Sequence, residues 1–199
     1  MKKSELTVLL TLFFTLMLSF SPRLAASSFK ESIVRLHILA NSDSDEDQLL
    51  KLSVRDAIIE NTDFVTEGIA KSDIDEKVLK EIEETAASVI KEQGYDYTVK
   101  AVLTNEYFDT RDYGYFALPC GDYDAVRVEI GKAEGKNWWC VLFPPLCTPI
   151  AEADVKTAAL KAGLSQTDIG IITKGDAVYS VRFKTMEIVS ELKHKLFDK

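Results

Sequence analysis

The chain has 199 residues, 46% of them hydrophobic, enough for one compact domain with its own core. Its formal charge is −8, from 24 Lys+Arg against 32 Asp+Glu. An acidic body disfavours nucleic acid, whose phosphates need a basic face, and disfavours adhesion to an anionic membrane surface.

The N-terminus reads as a separate segment. Lys2 and Lys3 precede the apolar run Leu6 to Phe20, and Ser21, Pro22 and the small residues Ala25, Ala26 and Ser27 follow. Charge, apolar stretch, helix break and small residues, in that order, form a secretory signal. The run is about 15 residues, shorter than the roughly 20 that span hydrocarbon, so an export signal fits better than a retained anchor. The expected organisation is a signal peptide or N-terminal anchor over 1–27 and a single domain over 28–199. Without residues 1–27, Lys+Arg falls from 24 to 21 and Asp+Glu from 32 to 31, leaving a body of charge −10.

Ile33 to Ala40 (IVRLHILA) predicts a strand, with Val34, Leu36 and Ile38 on one face and Ile33, Arg35, His37 and Leu39 on the other. Asn41 to Asp45 stops it and opens a helix to about Asn61, striped by Leu50, Val54, Ala57 and Ile58, with Asp45, Glu46 and Asp47 suited to its positive end. Ser72 and Asp73 offer caps for a second helix, buried along Val78, Ile82, Ala86, Val89 and Ile90 and ended by Gly94. Tyr97 to Leu103 alternates as a strand, and residues 105–122 read as irregular. Tyr123 to Ile130 and Trp138 to Phe143 read as a hairpin across a turn with Gly131 and Gly135. Ala153 to Ala162 is a short helix stopped by Gly163. A polar linker, a last strand over Val178 to Phe183, and a helix striped by Met186, Val189, Leu192 and Leu196 complete the pattern. The sum is an α+β fold, a mixed or mainly antiparallel sheet with helices packed on it.

Few of these residues suggest chemistry. Asn41, Asp43, Asp45 and Asp47 resemble the start of an EF-hand loop, but position 6 from Asp43 is Gln48 where glycine is required, and position 12 is Val54 where glutamate is required. An acidic helix start accounts for them better, and no metal or cofactor is expected. His37 and His194 are the two histidines, and neither GxSxG nor HExxH occurs. A thiol or cell-wall hydrolase using Cys140 with His37 is the enzymatic alternative; no small-molecule substrate is indicated. Cys140 and Cys147 are spaced to close a small loop over Phe143-Pro144-Pro145, with Cys120 left odd; three buried or free thiols are the other reading. Trp138 and Trp139 are adjacent on a strand and so face opposite ways. One exposed indole beside Arg111, Tyr113, Tyr115 and Phe116 would make a partner-binding hot spot.

The strings RLHILANSDSDEDQ at Arg35 to Gln48, YFDTRDYGYFALP from Tyr107, GDYDAVRV from Gly121, IGKAEGKNWWCVLFPPLC from Ile130, and VRFK at Val181 to Lys184 together resemble the stage II sporulation protein R family across the whole body of the chain. One departure is Cys120, where a small residue such as alanine is expected; this sets a Cys120 disulfide aside as a family feature. The resemblance implies an exported signalling protein in the space between forespore and mother-cell membranes. Its implied partner is a membrane-embedded aspartic protease that cleaves the sigma-E precursor, with this chain as activator and not as an enzyme. The contacts expected for that partner are Phe108, Arg111, Tyr113, Tyr115, Trp138 and Trp139.

Overall fold

A four-stranded sheet buried on both faces organises the chain. The computed structural model describes residues 4–15, 30–61, 72, 74–147, 152–173 and 177–197. In chain order the elements are β1 (Val34–Leu39), α1 (Asp45–Asn61), α2 (Glu76–Glu92), β2 (Val99–Phe108), β3 (Arg111–Asp112), β4 (Ala117–Leu118), β5 (Gly121–Ile130), β6 (Asn137–Phe143), α3 (Glu152–Lys161), α4 (Gln166–Ile172) and α5 (Ala177–Phe197).

The strand order is β2-β5-β1-β6. β1 pairs parallel with β5 and antiparallel with β6, and β2 pairs antiparallel with β5, so the expected mixed sheet is present. All six residues of β1 are buried, which is why it reads as a near-continuous apolar run: a central strand covered on both faces has no solvent side. Val34, Leu36 and Ile38 pack with Val126, Val128 and Ile130 under Leu50, Val54 and Ile58 of α1 and Ile82, Ala86 and Ile90 of α2. The opposite face buries Tyr123, Ala125 and Val141 with Phe108, Phe116 and Leu118, closed by Val155 and Ala159 of α3, Ile169 and Ile172 of α4, and Met186 of α5.

Several expectations are corrected. β5 and β6 do not form a hairpin, because β1 lies between them. β2 continues to Phe108 through what reads as irregular chain, since it stays in register with β5 from Val99↔Ile130 to Phe108↔Gly121. The cap of α2 is Asp75, whose side chain accepts from the N–H groups of Lys77 and Val78; Asp73 lies outside the described residues. The polar linker contains α4, started by a reciprocal capping box between Ser165 and Asp168. Val178 to Phe183 is no strand but the first part of α5, so helix continuation overrides β-branched propensity there. On that helix Met186 is buried, but Leu192 and Leu196 are 53% and 70% exposed, and the side chain of Val189 lies outside the described residues.

Residues 4–15 are helical and exposed, while the expected cleavage region, 21–27, lies outside the described residues. Among the described residues no helix is long and apolar enough to cross a membrane.

Candidate partner-binding groove

The segment leaving β2 folds into a small hairpin. Arg111 pairs with Leu118 and Asp112 with Ala117, and the turn closes where the Tyr113 N–H donates to the Phe116 carbonyl at 2.9 Å. Gly114 takes φ +89°, a left-handed conformation that glycine adopts without steric cost, and its N–H donates to Asp112 Oδ1. The rings of Tyr113 and Phe116 stack at 4.8 Å, Phe116 is buried and bridges to Thr173, and Tyr115 is 54% exposed. This turn is one wall of a groove of about 330 Å³. Trp138, Trp139 and Cys140 of β6 form the facing wall, and Leu146, Cys147 and Val155 complete the lining.

Cys140 and Cys147 are joined by a disulfide, and the intervening turn is pinned where the Leu146 N–H donates to the Val141 carbonyl. Cys120 is free and buried. The pairing removes Cys140 as a nucleophile. His37 is on the wrong face as well: it opposes Trp139, whereas Cys140 opposes Leu36. Both ring nitrogens of His37 are engaged, Nδ1 with Glu106 Oε2 at 2.8 Å and Nε2 with Asn137 Oδ1 at 2.9 Å. The thiol-hydrolase alternative therefore has neither a free thiol at Cys140 nor a histidine facing it.

The tandem indoles do face opposite ways, and each carries a guanidinium. Arg111 lies 4.1 Å over Trp139, and Arg55 lies 4.4 Å over Trp138; both indoles are half-buried. Arg111 is exposed. Behind the hairpin sits Arg35, fully buried, with its guanidinium 4.1 Å over Phe108 and 5.4 Å over Tyr123. It donates from Nη2 to the Tyr113 hydroxyl at 2.6 Å, while Nε and Nη1 have no partner among the described residues. Burial lowers the pKa of Arg35, opposed by the electron-rich Tyr113 and Tyr123 phenols. Burial likewise raises the pKa of Tyr113, with the Arg35 and Arg111 cations pulling it back. Arg35 thus tethers one groove wall to the centre of the sheet.

Of the six residues expected to meet a partner, Tyr113, Tyr115, Trp138 and Trp139 line the groove and Arg111 sits on one of its indoles. Phe108 is corrected: it is 4% exposed, packed against Arg35, and supports the groove from beneath. Sequence reasoning missed Arg35, Arg55 and Val155. Arg35 had a legible signal, a permanent cation in a mostly apolar strand; Arg55 and Val155 reach the site only through tertiary packing.

The Asn41–Asp47 cluster has a structural role. Asp47 is buried and accepts from Asn41 Nδ2 and Ser42 Oγ, while Asn41 Oδ1 and Asp43 Oδ1 accept from the N–H groups of Lys132 and Lys136 in the β5–β6 turn. Lys51, also buried, donates to Lys136 O and Gln48 Oε1. A Cβ on Gly135 would sit 2.2 Å from the Ser42 carbonyl oxygen, so only glycine lets these loops meet. The clamp fixes where β6 begins, and with it Trp138 and Trp139. Among the described residues no group of three or more His, Cys, Asp or Glu could hold a metal.

The family model described as stage II sporulation protein R matches residues 30–153, more than half of the chain. The chain belongs to the stage II sporulation protein R family. A curated relative, stage II sporulation protein R of Bacillus subtilis (strain 168), is 36% identical over 121 residues, covering 59% of this chain. That match spans 54% of the relative, so the chain covers about half the length of the curated protein it resembles. No solved structure matches the chain. The family match contains β1 to β6, hence the clamp, the hairpin and the tandem indoles, and stops just inside α3.

Proposed function

We propose that this sporulation-family protein is an exported signal. It acts between the forespore and mother-cell membranes and activates a membrane-embedded aspartic protease that cleaves the sigma-E precursor. Activation would follow from differential binding: a partner with active and inactive arrangements shifts toward whichever one this chain binds more tightly. The observation that carries the reading is the apolar, aromatic groove, with Arg111 stacked on its Trp139, in a member of this family. Aromatics and arginine at a concave site are what a protein–protein hot spot uses. The Cys140–Cys147 disulfide suits an oxidising, extracytoplasmic compartment.

The deciding experiment makes the protease and its precursor substrate in a non-sporulating cell, with and without this chain. Cleavage that needs this chain, and that falls at least tenfold with Arg111→Ala at unchanged protein level, is the expected result. Cleavage at the same rate without the chain would refute the proposal.

A further inference from the structure

We infer that the groove is a slot for an added β-strand: an extended segment of another protein, with alternating apolar side chains and one carboxylate that reaches Arg111. The inference rests on the reading of the groove as a partner surface and deepens it. Successive residues of a strand point to opposite faces, so a single cavity that touches Trp138, Trp139 and Cys140 opens on the edge of β6 and not on one face. β6 is the last strand in the order, and among the described residues its outer edge pairs with no strand.

The direction of the free backbone groups follows from one bond. In an antiparallel pair the N–H and C=O of a residue point to the same side and alternate along the strand. The Val141 carbonyl accepts the Leu146 N–H from the turn beyond β6, and carried along the unshifted register from Arg35↔Val141 to Leu39↔Asn137 this alternation turns the backbone groups of Asn137, Trp139 and Val141 away from β1. The outward set at Trp139 lies in the groove, between the hairpin turn and the disulfide. Edges are ordinarily protected by charge, proline or a bulge. Asn137 to Phe143 (NWWCVLF) contains no charge and no proline, and the register shift against β1 falls at its far end, by Val34 and Arg35.

A strand laid here would place side chains alternately against Trp139, Tyr113 and Phe116 on one side and Trp138 and the disulfide on the other. Arg111 supplies the charge selection. It lies over Trp139 and has no carboxylate partner among the described residues, in a protein whose net charge is −8.

The test selects random twelve-residue peptides on the immobilised protein. Enriched peptides should alternate apolar residues and carry Asp or Glu at a fixed offset. N-methylation at alternate positions should weaken binding more than tenfold, while methylation at the intervening positions leaves it within twofold. Arg111→Glu should weaken acidic peptides more than tenfold, and replacing the peptide carboxylate by lysine should restore binding to that variant. No enrichment over a Trp139→Ala protein, enrichment of helical or proline-rich peptides, or indifference to N-methylation would overturn the inference. The selection does not involve the protease. Strand binding without support of cleavage leaves the slot standing and removes the proposed function; cleavage without any selected strand does the reverse.

Discussion

Reducing the Cys140–Cys147 bond should loosen the groove and lower stability by a calculable amount. The bond closes a ring of sequence separation 7. The chain-entropy relation for so short a ring gives roughly 2.5 kcal/mol at 25 °C. For a domain of this size that corresponds to a fall in Tm of roughly 5–10 °C. The assay compares thermal unfolding of oxidised protein, of protein held in a phosphine reductant, and of Cys140→Ala/Cys147→Ala, each followed by near-UV circular dichroism because Trp138 and Trp139 flank the bond. Thiol titration of the unfolded, non-reduced chain should count one thiol, that of Cys120, which is free. The wild type without reductant should be the most stable of the three, and the other two should agree to within about 1 kcal/mol. Three titratable thiols, or a reductant-insensitive Tm, would refute the reasoning, because the ring would then contribute nothing to the folded state.

Gly135→Ala should cost about 3 kcal/mol in urea titration, since its Cβ would meet the Ser42 carbonyl oxygen at 2.2 Å and both are backbone-fixed; an unchanged midpoint would show that the loops part freely. Arg35→Met removes a buried guanidinium with two unpartnered nitrogens, together with its contact to the Phe108 ring, but fills the site with an unbranched apolar chain, so stability should stay within about 2 kcal/mol while precursor cleavage falls, the Tyr113 tether being lost. Equal cleavage by that variant would remove Arg35 from the groove's support. Asp47 has a lowered pKa: burial raises it, but bonds from Ser42, Asn41 and Tyr97 prevail. A depressed carboxylate contributes stability that is present above its unfolded value of 3.8 and is lost as pH falls through its folded value. Acid titration of stability below about pH 4 should therefore be steeper in wild type than in Asp47→Asn; parallel curves would contradict the sign.

How much of this was legible depended on how local the cause was. α1 and the body of α2 follow from apolar spacing, and β1 from a short apolar run, and all three stand where the sequence puts them. The disulfide was one of two open readings, and seven residues of separation with two prolines between could not decide it. Gly131 and Gly135 correctly mark a turn, but a turn says nothing about whether a third strand slides between its arms, and β1 comes from about ninety residues earlier. The Val178 to Phe183 error has the opposite origin: local β propensity was clear, and the helix that follows captured it. At the site, aromatic density located the groove, while the inward turn of Phe108 was hidden because its burial depends on Arg35, a partner on another strand.

Strand β1 lies between two segments that are synthesised long after it, with Val34 opposite both Asp124 and Phe143. No shorter N-terminal fragment can therefore assemble the sheet, and a chain emerging from a ribosome must carry β1, apolar but for Arg35 and His37, without its sheet partners until the last of them appears. Contacts of such long sequence separation make folding slow and late. Any truncation before Phe143 should therefore yield aggregates and not a smaller domain.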